Sequence, residues 1–275
     1  MWQDVSYLRQ FYGTPLGLVT QRLVRQRIHD MWPTVAGQRI LAVGYGTPYL
    51  GPFIGSAERA VAVMPDLQGV TRWPVGEPGL VALSEEDALP FPDNAFDRIL
   101  LVHAVESSEL LRRMLREIWR VLAGEGRIIV VAPNRRGVWA RLERTPFGHG
   151  HPYSQRQLDR LMRDSLFVPV RSDYALYAPP SRRRFMLALA PTLERLGARW
   201  ALPFAGVVVS EAEKQVYSGV AVEARRVAAH RRAPTVGTMY QRSSRLNMKT
   251  PCAPRKLASK REDQNPVLNP SCPSA

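Results

Sequence analysis

Five short apolar runs in the first half of this chain limit what it can fold into. They are Ile40-Leu41-Ala42-Val43, Ala60-Val61-Ala62-Val63-Met64, Leu80-Val81-Ala82-Leu83, Ile99-Leu100-Leu101-Val102 and Ile128-Ile129-Val130-Val131-Ala132. Each is about as long as a buried strand, and none alternates apolar with polar residues. A strand with one wet face alternates; a strand covered on both faces does not. Gly44 and Gly46 follow the first run, and Pro65 and Pro133 stop the second and fifth. The pattern therefore predicts a mostly parallel sheet with helices on both sides.

Helical spacing fills the intervals. Leu16, Val19, Leu23 and Ile28 predict a helix over 14–32. After the fourth run, Leu110, Leu111, Met114, Leu115, Ile118, Val121 and Leu122 recur at helical spacing. Arg112, Arg113, Arg116 and Glu117 take the other side, with Ser107 or Ser108 as the expected cap and Gly124 as the expected stop. Ser154 and Gln157 form a capping box ahead of Leu158, Leu161 and Met162. Further on, 167–170 and 174–177 read as one broken strand region, 181–200 as a helix and 205–217 as a last strand. No internal repeat is visible. The expected fold class is α/β, a Rossmann-like open sheet flanked by helices.

Charge divides the chain. Residues 225–275 hold eleven Lys and Arg against two acids, so +9 of the net +14 lies there. With its Pro, Ser and Asn content, this stretch reads as a basic, mostly disordered tail behind a domain over 1–224. It is expected to attract nucleic acid or acidic membrane weakly, without specificity. Tyr240 is its sole aromatic from Pro234 onward, too little for base stacking. Both cysteines, Cys252 and Cys272, sit in this tail, which excludes a disulfide within 1–224. No His/Cys cluster has zinc spacing, and no metal is expected. With no apolar run of membrane-span length and no export pattern at the N-terminus, the expected location is cytoplasmic.

The chemistry-bearing candidates lie at the carboxyl ends of the runs, where open α/β sheets bind ligands. Gly44-Tyr45-Gly46 closes the first. The dinucleotide fingerprint G-x-G-x-x-G fails here, because Tyr49 holds its last position. The stretch 87–106 reads Asp87-Ala88-Leu89-Pro90-Phe91, a short turn, Phe96-Asp97, then a strand ending at His103 and Glu106. Leu115-Arg116-Glu117-Ile118-Trp119-Arg120-Val121-Leu122, Gly126-Arg127 and Pro133-Asn134 follow in order.

This succession, over about 36–178, resembles the class I S-adenosylmethionine-dependent methyltransferases, the type-11 group in particular. The resemblance implies S-adenosylmethionine as cofactor. It implies Gly44, Tyr45 and Gly46 against the methionine part, Met64 or Asp66 at the ribose position, and Asp87 and Ala88 flanking the adenine. It implies His103 lining the site after the fourth strand. The candidate catalytic residues are His103, as a base, and Glu106, as an acceptor contact, each with a structural alternative: a strand-end histidine bonded to backbone, and a carboxylate favouring a helix N-terminus. Three positions depart from the family pattern: Ala42 replaces its usual acid, Pro48 its third glycine and Met64 its ribose acid. The His149-Gly150-His151 loop either contacts the acceptor or packs. Arg135 and Arg136 either meet an anionic substrate or face solvent. Three readings stay open: methyl transfer to an acceptor left unidentified, a small molecule among the possibilities; a non-catalytic binding or scaffold role that kept the fold without the cofactor; and a basic tail that tethers the domain to RNA or membrane.

Overall fold

The strand at the centre of the molecule, β1 (Arg39–Gly44), is buried from Ile40 to its end. Its side chains alternate between two cores: Ile40 and Ala42 enter one, Leu41 and Val43 the other. The same division holds in β4 (Phe96–Val102), β5 (Leu122–Pro133) and β7 (Val207–Lys214), where Leu100, Ile129 and Val207 face the first core and Leu101, Val130 and Val208 the second. That is why these strands read as continuous apolar runs. The computed structural model describes residues 2–76, 78–200 and 204–216. All of them lie in one compact unit, Met1–Val220. The basic tail and both cysteines lie outside the described residues.

With β2 (Arg59–Pro65), β3 (Val81–Ser84) and β6 (Phe167–Ala175), the sheet has seven strands in the order β3-β2-β1-β4-β5-β7-β6. Strands β1 to β5 pair in parallel, while β7 runs antiparallel between β5 and β6. The order reverses at β1, between β2 and β4, so the crevice at their carboxyl ends is the switch point of the sheet. The first core is covered by α1 (Val5–Tyr12), α2 (Pro15–Met31) and α6 (Arg184–Arg199), the second by α4 (Leu111–Val121) and α5 (Gln155–Asp164). Between β1 and β2 stands a single turn, α3 (Thr47–Leu50).

The expected helices and strands are present, with four differences. Helix α1, capped by Asp4, is additional. Neither serine caps α4; Leu110 is its N-cap residue, and its N–H donates to the Glu86 carboxylate at 2.7 Å. Burial of Met114, Leu115, Ile118 and Val121, at about 1.5–3 kcal/mol per side chain, outweighs the missing cap. Gly124 does not stop α4: the helix ends at Val121 and the chain runs directly into β5, with Gly124 extended. The region over 167–177 holds one strand, Phe167–Ala175, with a bulge between Pro169 and Arg171, and its neighbour β7 is antiparallel.

Candidate active site

The turn after β1 is built on close backbone approach. Gly44 has φ +84°, and a Cβ there would lie 2.3 Å from the Val102 carbonyl oxygen at the end of β4. Only glycine accepts both conditions. The Tyr45 N–H donates to that same carbonyl at 2.9 Å. A Cβ at Gly46 would lie 2.5 Å from the Ala42 Cβ, so the small residue at 42 lets the loop close onto β1. Pro48 stands in the first turn of α3, a place proline suits.

Under this turn lies a chain of buried polar groups. Tyr12, the last residue of α1, stacks on Tyr45 with ring centroids 5.6 Å apart and meets Tyr49 edge-on at 6.0 Å. Its hydroxyl bonds the Tyr49 hydroxyl and His103 Nε2, each at 2.8 Å. His103 Nδ1 lies 3.2 Å from Glu106 Oε1. With the Nδ1–H tautomer, His103 donates to Glu106 Oε1, and Nε2 accepts from the Tyr12 hydroxyl, which in turn accepts from Tyr49. Burial pushes the Tyr12 and Tyr49 phenols well above their ordinary range, which keeps both as O–H donors at neutral pH. His103 stands at φ +53°, and the Phe147 ring packs 4.8 Å from its own. Neither His103 nor Glu106 reaches solvent.

A second group of polar atoms lies just past the strand ends. Gln68 follows β2 and is buried, with both amide atoms lacking a hydrogen-bond partner. Glu86 follows β3; its Oε1 accepts the Leu110 N–H while Oε2 has no partner. Glu106 follows β4, and its Oε2 also has none. The N-terminal segment lies over this region. Trp2 and Val5 are buried, and a Cβ on Gly69 would lie 3.3 Å from Val5 Cγ1. Gln3 Nε2 donates to the Pro146 carbonyl at 2.7 Å.

The structure thus brings together Gly44, Tyr45, Gly46, His103 and Glu106. The other sequence candidates lie elsewhere. Met64 is sealed in the first core. Asp66 faces solvent and accepts from the Leu67 N–H at 2.8 Å. Asp87 is half-buried and ion-paired with Arg113 at 3.4 Å, and Ala88 is exposed. The structural alternatives for the pair are displaced too: His103 bonds Tyr12 and Glu106 rather than backbone, and Glu106 bonds His103 rather than serving α4. The 145–153 loop packs on Glu106, whose carbonyl accepts the His151 N–H at 2.9 Å. Sequence reasoning missed Tyr12, Tyr49, Gln68 and Glu86. Gln68 and Glu86 lie within three residues of the ends of β2 and β3, and that proximity was the available signal for them.

Beside the buried chain opens a cleft of about 980 Å³. Tyr7, Phe11, Arg144, Pro180, Arg182 and Leu187 line it. Arg144 and Pro180 come after β5 and β6, so the cleft opens on the same carboxyl edge. Among the described residues, no group of three His, Cys, Asp or Glu gathers as a metal site would require.

Comparison with known proteins bears on the fold. Residues 54–130 match the family model described as "Methyltransferase domain". Over 139 residues the chain is 30% identical to a demethylmenaquinone methyltransferase of Thermus thermophilus, an alignment covering 47% of this chain and 63% of that protein. The chain thus spans less than two thirds of that relative's length. Among solved structures, a SAM-dependent methyltransferase of Archaeoglobus fulgidus superposes with a TM-score of 0.54 at 16% identity, over 77% of this chain and 100% of that one. A SAM-dependent methyltransferase of Thermotoga maritima, described as a possible histamine N-methyltransferase, gives 0.51 at 18%, over 77% and 96%. The cyclase SpnF gives 0.50 at 22%, over 72% and 81%. The fold is that of the class I S-adenosylmethionine-dependent methyltransferases, and the resemblance read from the 36–178 stretch is borne out.

Proposed function

We propose that the chain is an S-adenosylmethionine-dependent methyltransferase whose cofactor seats at the switch point and whose acceptor enters by the 980 Å³ cleft. The observation that carries this reading is the set of buried, unpartnered polar atoms on Gln68, Glu86 and Glu106, past the ends of β2, β3 and β4. A buried polar atom without a partner costs about 1–3 kcal/mol, and a ligand that meets it recovers that cost. The set fits the cofactor's chemistry. The Gln68 amide both donates and accepts, as two ribose hydroxyls require, and it takes the role that sealed Met64 and outward Asp66 are badly placed to fill. The free oxygens of Glu86 and Glu106 suit the cofactor's donor and cationic groups. Gly44, Tyr45 and Gly46 would lie along the methionine part, and Asp87 and Ala88 would form the outer rim of the adenine site.

When bound, the cofactor supplies an electrophilic methyl group on a sulfonium. The protein's task is then chiefly to position the acceptor. His103, sealed and bonded to Glu106 Oε1, acts as a positioning residue that holds Tyr12 and the end of α1 against β4, while Glu106 Oε2 is left for the cofactor. Trp2 to Tyr12 cover the strand ends, so cofactor access requires that segment to lift. The cleft pairs apolar walls, Phe11, Pro180 and Leu187, with Arg144 and Arg182. It suits a flat apolar acceptor bearing an anionic or carbonyl oxygen, and the likeness to a demethylmenaquinone methyltransferase points the same way.

The second reading, a binding protein that kept the fold without the cofactor, is favoured by the close packing of Tyr12, Tyr45 and Tyr49 under the Gly44 turn. Transfer of a labelled methyl group from S-adenosylmethionine to quinol-type and phenolic acids tests the first. Product formation that Gln68→Ala slows through cofactor KM supports it. No transfer to any such compound, with the cofactor bound, overturns the acceptor class.

A further inference from the structure

Helix α6 turns a line of large apolar side chains outward. Phe185 is 70% exposed, Leu196 51% and Trp200, just past the helix, 73%. Leu189 is half-buried on the same line, and Phe204 beyond it is 63% exposed. Positions 185, 189, 196 and 200 are separated by four, seven and four residues, which aligns them along one side at 3.6 residues per turn. The opposite side is spent on the core, through Ala190, Glu194 and Gly197.

A basic margin flanks the line. Arg184, Arg195 and Arg199 repeat the same spacing one position away, and Arg182 and Arg183 precede them; all five are exposed. The acid of this segment, Glu194, is turned inward, where it accepts the Leu176 and Tyr177 N–H groups and lies 3.8 Å from Arg27. The outer surface of α6 is thus apolar along its centre and positively charged along its edge, with no negative charge to balance it.

We propose that this face seats α6 flat on an anionic membrane surface. The apolar strip is about 24 Å long, by the helical rise over its sixteen residues, and it lies beside exposed arginines, the charge pattern an anionic surface complements. Aromatic side chains enter the headgroup boundary while flanking arginines reach lipid phosphates, the usual balance of an interfacial helix. Charge disfavours two other occupants. Residues 225–275 carry +9 and are repelled by this margin, and a second copy presents the same arginines. No helix among the described residues is long and apolar enough to cross a membrane, so the contact is peripheral. Arg182, Arg183 and Leu187 belong both to this end of α6 and to the cleft wall, so the seated protein holds its cleft beside the lipid surface. The docking does not depend on the methyl-transfer reading.

The test is co-flotation of the full chain with vesicles of phosphatidylcholine alone or with added phosphatidylglycerol. The variant carries Phe185→Ser, Leu196→Ser and Trp200→Ser, all at exposed positions. The wild type is expected to bind the anionic vesicles and to keep measurable binding near 0.5 M salt, where the screening length falls to about 4 Å and attraction by the basic tail is lost. The variant is expected to bind at least about tenfold less while keeping its circular dichroism and melting temperature. Each single substitution, on folded protein, is expected to weaken binding in the same direction. Wild-type protein that ignores anionic vesicles, or a folded variant that binds as well as wild type, overturns the proposal. So does a variant that loses self-association or an acidic protein partner while its vesicle binding stays intact.

Discussion

Replacing Tyr12 with phenylalanine removes one oxygen and keeps the ring, so the stack on Tyr45 and the edge contact with Tyr49 survive. What is lost is the hydroxyl that bonds both the Tyr49 hydroxyl and His103 Nε2 at 2.8 Å. Those two groups are buried and have no route to water. Each stranded group costs about 1–3 kcal/mol, and because the Tyr49 hydroxyl can turn, we expect a total near 2–4 kcal/mol. For a domain of this size that lowers the melting temperature by about 4–16 °C. Urea unfolding followed by circular dichroism reads the change as a lower midpoint at unchanged slope. Because the hydroxyl clasps α1 over the strand ends, affinity for S-adenosylhomocysteine should hold or rise in the variant. A stability change under about 0.5 kcal/mol would refute the buried relay. An affinity loss above tenfold would show that the hydroxyl meets the cofactor itself.

Other consequences follow from the same geometry. Gly44→Ala places a Cβ 2.3 Å from the Val102 carbonyl at a positive φ, so thermal unfolding should show a loss of at least about 2 kcal/mol. Gln68→Ala should leave the melting temperature nearly unchanged and weaken S-adenosylhomocysteine binding about tenfold, whereas Asp66→Ala should leave binding unchanged in the same titration. Alkaline pH should unfold the protein. The Tyr12 and Tyr49 phenols are raised in the folded state, so their stabilising effect is complete below the ordinary tyrosine pKa near 10 and declines above it. Stability measured by urea titration should therefore fall by up to about 1.4 kcal/mol per pH unit for each phenol above that point, and Tyr12→Phe should flatten the slope.

Much of the fold was legible in the residues because the sheet is covered on both faces. Ile40-Leu41-Ala42-Val43 feeds two cores at once, and so it reads as an unbroken apolar run. Ser154 and Gln157 were legible for a different reason: their capping box is local and closes within one turn. The cap of α4 was not, since the group that reaches it, Glu86, comes from the far side of β4, and no pattern near Ser107 announces it. The antiparallel course of β7 likewise leaves no local trace in Val207-Val208-Val209.

The candidate site divides in the same way. Gly44 and Gly46 stood out because glycine between a buried strand and a helix has few other reasons to be there. Tyr12 contacts partners 37 and 91 residues away, so only the folded chain joins it to Tyr49 and His103. Met64, expected at the ribose, is buried on the core side, while Gln68, four residues on, holds the free amide.

Calorimetric titration of S-adenosylhomocysteine into the purified, folded chain tests the proposed site most directly. One site per chain with micromolar affinity is expected, weakened about tenfold in Gln68→Ala. Absence of heat at millimolar ligand, with the protein shown folded, would contradict it and leave the fold serving a function without the cofactor.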